Sequence, residues 1–248
     1  MLPQVVTHSH STTTQRSAVR RYCFSIVLEL TVISGLSEFV CDPDEEVASV
    51  LALQQGRYFV VGTVRHQIGE TEPSRGRLLL FSFEVGQTAP TGERGRSLEL
   101  NLVTVNEAEG CPYALAEVNG AIVAAVNTSV SHAIDPWSCN AQQSHLQLDL
   151  YRIVTDPDPY DTATPPIRLV RLARWNHSYF LTNLAVDGDN VIVGDAIASV
   201  SILRVVENDF QTIARHYGPM WPIAVQGMQN GVLGANVRLL YLEERGHG

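Results

Sequence analysis

Tyr113-Ala114-Leu115-Ala116-Glu117-Val118-Asn119-Gly120-Ala121-Ile122-Val123-Ala124-Ala125-Val126-Asn127 is the stretch from which the fold can be read. It is an apolar strand, a short polar turn and a second apolar strand ending in small residues. The design recurs over residues 49–63, 180–195 and 221–236. Such a hairpin cannot bury both faces alone, so its repetition marks a stacked array, and with all-β content the array is one of propeller blades. The expected fold class is all-β, an incomplete β-propeller of about four to five blades.

Working outward, residues 77–84 form a strand opened by Gly76, and residues 97–103 alternate polar and apolar side chains as a half-exposed outer strand does. Residues 146–153 alternate in the same way, and 199–206 less strictly. Residues 237–242 begin a further strand. Each repeat therefore reads as two inner strands nearly continuous in apolar residues, followed by one or two alternating outer strands. Corresponding small residues fall at Gly62, Ala124, Gly194 and Gly234, at intervals of 62, 70 and 40 residues. The two long intervals are accounted for by loops, at 86–95, 128–143 and the proline-rich 156–166. No window carries helical apolar spacing.

Residues 1 to 18 are rich in Ser, Thr, His and Gln without apolar periodicity, and disorder is expected there. The domain division is a leader, partly disordered, over 1–36 and a partial propeller over 37–248. Within the leader, Arg20 and Arg21 precede an apolar run, as in a signal peptide. Glu29 interrupts that run, and its Val, Ile and Thr content suits a strand equally well.

The chain of 248 residues carries a net charge of −9, and all 17 basic residues are arginine. Affinity for nucleic acid rests on cations that neutralise phosphates, so this balance favours a protein partner. Cys23, Cys41, Cys111 and Cys139 form no C-x-x-C pair, which argues against a zinc site and for reduced, partly buried thiols. Asp42-Pro43-Asp44-Glu45-Glu46 and Asp156-Pro157-Asp158-Pro159 resemble carboxylate loops but lack the glycine and terminal glutamate of an EF-hand. Nucleophile elbow, Walker loop, H-E-x-x-H and dinucleotide fingerprint are all missing. A hydrolytic propeller would need its acids among Asp187, Asp189 and Asp195. No catalytic residue, cofactor or metal is expected. Asp195 closes a strand, where a carboxylate caps a turn or faces a partner, and Asn127 is grouped with it as a candidate partner contact.

Particular words then become recognisable. Tyr58-Phe59-Val60-Val61-Gly62-Thr63 followed by Glu72-Pro73-Ser74-Arg75-Gly76-Arg77-Leu78 resembles the damaged-DNA-binding protein large subunit, the adaptor of cullin-4 ubiquitin ligases. Its relatives are the large subunit of the cleavage and polyadenylation specificity factor and the propeller subunit of splicing factor 3b. The resemblance continues through Val118-Asn119-Gly120 and Val193-Gly194-Asp195. It is strongest at Ile213-Ala214-Arg215-His216-Tyr217-Gly218-Pro219-Met220-Trp221, which leans toward the adaptor.

The resemblance implies the third, seven-bladed propeller of three, pairing with the first to form a cleft for substrate-receptor proteins. It also implies a location in nucleus and cytoplasm, with direct nucleic-acid contact left mainly to the receptor. Arg215 and Trp221 match family positions near the receptor-binding surface, whereas Ala198 stands where the adaptor carries an arginine. The leader and residues 128–143 match nothing in the family. The function expected is a non-catalytic scaffold, with an RNA-processing scaffold and a propeller hydrolase as rivals. An arc of four to five blades is expected to associate unless other propeller segments, or residues 22–33, complete it.

Overall fold

A computed structural model describes residues 4–12, 19–27, 36–68, 70, 73–85, 98–127, 146–155, 167–177, 179–196, 200–216, 222–228 and 231–236. Every sheet in it is antiparallel, and neighbouring strands in a sheet are neighbours in sequence. β1 (Gln4–Thr12), β2 (Val19–Val27) and β3 (Leu36–Val40) form a three-stranded sheet. Blade I follows with β4 (Glu45–Leu53), β5 (Tyr58–Arg65), β6 (Arg75–Val85) and β7 (Leu98–Ala108). Blade II is β8 (Cys111–Val118), β9 (Ala121–Asn127), β10 (Leu146–Thr155) and β11 (Ile167–His177). Blade III is β12 (Leu181–Asp187), β13 (Asn190–Asp195), β14 (Val200–Val206) and β15 (Asp209–His216). A two-stranded sheet of β16 (Pro222–Met228) and β17 (Gly231–Asn236) comes last, with β16 packed on β12 and β13. The fold is a partial β-propeller, and its four first hairpins are the four read from the sequence.

The second strand of each blade is the most buried, because blades cover both of its faces. β9 is buried at all seven positions, and β5 at all but its last. The first strand is only half-buried along β4, β8 and β12, since its outer edge faces the axis of the arc. Alternate side chains of one strand supply two different interfaces, as a period of two requires. Ile122, Ala124 and Val126 join Tyr58, Val60, Leu78 and Leu80 in the core between blades I and II. Val123 and Ala125 join Leu148, Leu150, Val191 and Val193 between blades II and III. Each fully buried Leu, Ile or Val contributes roughly 1.5–3 kcal/mol, so these two interfaces dominate the stability of the arc. On the other side of blade I, Phe39 meets Phe81 edge-on at 5.0 Å and seats β3 against the blade.

The small residues in the repeats have a steric cause. A Cβ on Gly62 would fall 2.7 Å from the Pro112 carbonyl oxygen, where the first strand of blade II crosses β5. A Cβ on Gly194 would meet Pro222 and Val225 at 3.2 Å, where β16 crosses β13 in the same way. Asn119 and Gly120 both take positive φ, 51° and 72°, the tight-hairpin turn that matches strand twist.

Several expectations need correction. Residues 146–153 are not a half-exposed outer strand: β10 is the third strand of its blade and is buried from Leu146 to Tyr151. β11 covers its outer edge, and the polar Gln147 and Asp149 are interior. β11 and β15 escape the sequence reading altogether, because neither alternates cleanly. In the leader, residues 4–12 form a strand despite lacking apolar periodicity. The strand expected at 237–242, Trp221, Ala198 and the loops 86–95, 128–143 and 156–166 lie outside the described residues. A single 3-10 turn, Gln54–Gly56, is the helical element among the described residues.

Candidate partner-binding face

The topology gives the arc two unlike ends. One end carries the links between successive blades and the turns from second to third strands. The other carries the first-to-second and third-to-fourth turns. Asn127 ends β9, Asp195 ends β13 and Arg215 lies one residue from the end of β15, so all three candidates sit at the link end. The sequence could not bring them together, since 88 residues separate Asn127 from Arg215.

Ionic groups cluster at this end. In blade I the Glu45 carboxylate is fully buried and accepts from the Arg77 guanidinium and the Thr63 hydroxyl. Asp42 accepts from Arg65 at 3.0 Å and from Arg77 at 2.9 Å. Within the acidic run 42–46, Asp42 and Glu45 are thus drawn into arginine pairs, and Glu46 lies on His66 at 3.2 Å. A forked guanidinium suits a buried carboxylate because two parallel N–H groups meet its two oxygens.

Blade II repeats the device with other residues. Arg174 donates to both oxygens of buried Asp149, at 2.8 and 3.1 Å, and to Glu109 in the link from blade I at 2.6 Å. Arg171 adds a bond to Glu109 at 3.3 Å. Bonding to Asp149 holds the Arg174 guanidinium above its ordinary range, and bonding to Arg174 holds Glu109 below the ordinary carboxylate range. Tyr151 donates to Asp149 at 3.1 Å, and burial pushes its phenol well up. Cys111, buried at the start of β8, donates to the Pro73 carbonyl, and burial raises its thiol to about 11, which makes it inert as a nucleophile near neutrality.

The joint between blades II and III differs. Asn127 is fully buried, and its side-chain amide accepts from Leu181 N–H at 3.0 Å while donating to Leu181 C=O at 2.8 Å. It extends the backbone pairing of blade II onto the first strand of blade III. Asp195 is buried too, with an oxygen 2.9 Å from Nε2 of His177, the last residue of β11. An ionised carboxylate only accepts, so the imidazole proton lies on Nε2. Nη2 of Arg215 is 3.2 Å from Nδ1 and 3.4 Å from Nε2 of the same ring. Those nitrogens point in different directions, so one donor at both distances sits over the ring face rather than in its plane. Trp175 stacks on the imidazole at 4.9 Å and 17°, and Tyr179 meets it edge-on at 5.9 Å. Burial lowers the His177 pKa; Arg215 adds to the lowering, and Asp195 works against it.

Of the four candidate contacts, Asn127 and Asp195 are therefore interior and hold blades together, which leaves them no surface for a partner. Arg215 is half-buried over His177, and Trp221 is outside the described residues. His177 and Trp175 were missed by the sequence reading. Their place beside Asp195 follows from the pairing of blades and has no local signature. Asp187 and Asp189 flank the turn at the opposite end of β13 from Asp195, a strand length of roughly 17 Å away. The three aspartates do not converge. Among the described residues, no group of three His, Cys, Asp or Glu side chains is placed to hold a metal ion.

Comparison with known proteins yields related names. The sequence model of the family described as CPSF A subunit region matches residues 21–131. That match starts inside the leader, 1–36, which the motif reading left unmatched. DNA damage-binding protein 1 of Oryza sativa subsp. japonica is 25% identical over 217 residues, covering 84% of this chain and 16% of that protein. DNA damage-binding protein 1a of Arabidopsis thaliana is 26% identical over 235 residues, covering 91% of this chain and 18% of that protein. The chain spans less than a fifth of the length of the curated relatives it matches.

Proposed function

We propose that this chain, similar to the CPSF A subunit region over residues 21–131 and to DNA damage-binding protein 1 over most of its length, is a non-catalytic scaffold segment that binds other proteins. The observation that carries the reading is how its polar groups are engaged. The buried carboxylates Glu45, Asp149 and Asp195 are each held by an arginine or a histidine and fix blades, leaving the link end to act as a surface. The finer reading is an adaptor of the cullin-4 ligase type, acting in the nucleus and cytoplasm, whose partners are substrate-receptor proteins and the remaining propellers. Arg215 and Trp221 are its proposed contacts, because arginine and tryptophan supply bidentate bonding and large contact area at interface centres. Direct nucleic-acid binding is left to partners. The family description favours a second reading, a scaffold in pre-messenger RNA polyadenylation or splicing complexes.

Capture from nuclear extract separates the two. Cullin-4 receptors retained by the chain support the adaptor, and polyadenylation or splicing factors support the alternative. Arg215→Ala and Trp221→Ala should each weaken the retained complex by about 1–3 kcal/mol with the fold intact. Unchanged binding by both variants would remove these residues from the interface, and unfolding of Trp221→Ala at room temperature would make that residue core.

A further inference from the structure

The two interblade joints are built from different groups, and the difference has a consequence for how the arc responds to acid. Between blades I and II the cations are Arg171 and Arg174 of blade II, bound to Glu109 in the link from blade I, with Arg174 also holding Asp149 of its own blade. A guanidinium keeps its charge at any pH a protein meets. Between blades II and III, His177 ends β11 with its side chain 2% exposed and bonded to an equally buried Asp195 on β13, and Arg215 of β15 lies over its ring. Imidazole is the side chain that changes charge near neutrality.

We propose that the joint between blades II and III is an acid-sensitive clasp released through His177, while the joint between blades I and II is indifferent to the same change. The groups around the ring are defined. Asp195 faces it from β13 and Arg215 from β15, with Trp175 stacked along β11 and Tyr179 edge-on just beyond that strand. On β10, Leu146 is its ladder partner, and Asp149 is bound to Arg174, which lies three residues earlier on β11. On β9, Asn127 is occupied with Leu181, and on β12 Thr182 bonds to the Gly194 carbonyl. A proton added at Nδ1 places a second positive charge under the Arg215 guanidinium in a site closed to water. Asp195 offsets part of that cost, but it is already bonded to the neutral ring.

The sign follows from linkage. Burial holds the folded pKa of His177 below the ordinary value, so an opened joint binds the proton more readily than a closed one. The clasp is at full strength above about pH 6.5, weakens as pH falls below that value, and levels off beneath the folded pKa. One proton limits the effect to about tenfold in the opening equilibrium per pH unit.

The experiment is amide hydrogen exchange on the full chain at about pH 7.5 and about pH 5.5, corrected for the intrinsic pH dependence of exchange. Opening of β12 and β13 should rise by up to about tenfold, with β5 and β6 unchanged. His177→Gln, which keeps a donor toward Asp195 but cannot titrate, should abolish the rise. An equal response in both regions, or an undiminished response in the variant, would overturn the proposal. Should the variant fail to fold, the ring titration of His177 followed by NMR decides in the unmodified chain. A midpoint below about 6.5 supports the clasp, and one at or above it ends the proposal.

Discussion

At the scale of single residues, the glycines of the repeats separate two reasons for having no side chain. Gly62 has ordinary backbone geometry but no room, with the Pro112 oxygen 2.7 Å from where a Cβ would stand. Gly120 has room on every side but a φ of +72°. Gly62→Ala must displace a neighbouring blade and should cost about 1–3 kcal/mol, as overpacking does. Gly120→Ala pays only for the left-handed conformation, about 1–2 kcal/mol. Equilibrium urea denaturation of the two variants measures both costs. The difference in kind shows in the exchange of β8: it should rise in Gly62→Ala and stay near the unmodified chain in Gly120→Ala. Disturbance of β8 by both would mean that the turn, and not the crossing, sets the blade spacing.

At the scale of elements, blades are joined by side chains that imitate backbone. Asn127 closes a pair of hydrogen bonds with Leu181 that no strand is available to make. Asn127→Leu keeps the volume but leaves a buried N–H and C=O unmatched, for a loss of about 2–4 kcal/mol. Thermal unfolding measures it, and a loss well under 1 kcal/mol would show that other groups replace the amide. The elements themselves were legible where one physical demand shaped them. The second strands, covered on both faces, are continuous runs such as Ala121–Asn127, and their hairpins stand out. The fourth strands were not legible. β15 mixes polar residues with Phe210, Ile213 and Ala214 in no regular alternation, and it is exposed at six of its eight positions. β10 misled because Asp149 and Gln147 look like solvent-facing residues. What hides Asp149 is Arg174, a residue 25 positions away on a strand the pattern does not announce. The candidate site was half-legible for the same reason: Asp195 and Arg215 were singled out, but the imidazole that joins them is defined only by how blade III packs on blade II.

At the scale of the whole molecule, charge decides which polymers the chain can meet. With a net charge of −9 and with Arg77 and Arg174 at the link end paired to carboxylates, it should bind duplex DNA only weakly at physiological salt. Fluorescence anisotropy with an intact and a lesion-bearing duplex checks this. A submicromolar Kd, or a preference for the lesion, would restore direct recognition to this segment. The forked bonds to Glu45 and Asp149 call for guanidinium, yet arginine also fills exposed positions such as Arg152 and Arg168, where an amine would serve equally well. No side chain of the sequence therefore offers an ε-amino nucleophile. Acetyl groups, ubiquitin tails and amine-directed crosslinkers, all of which join to lysine through its nitrogen, find no lysine acceptor within these 248 residues.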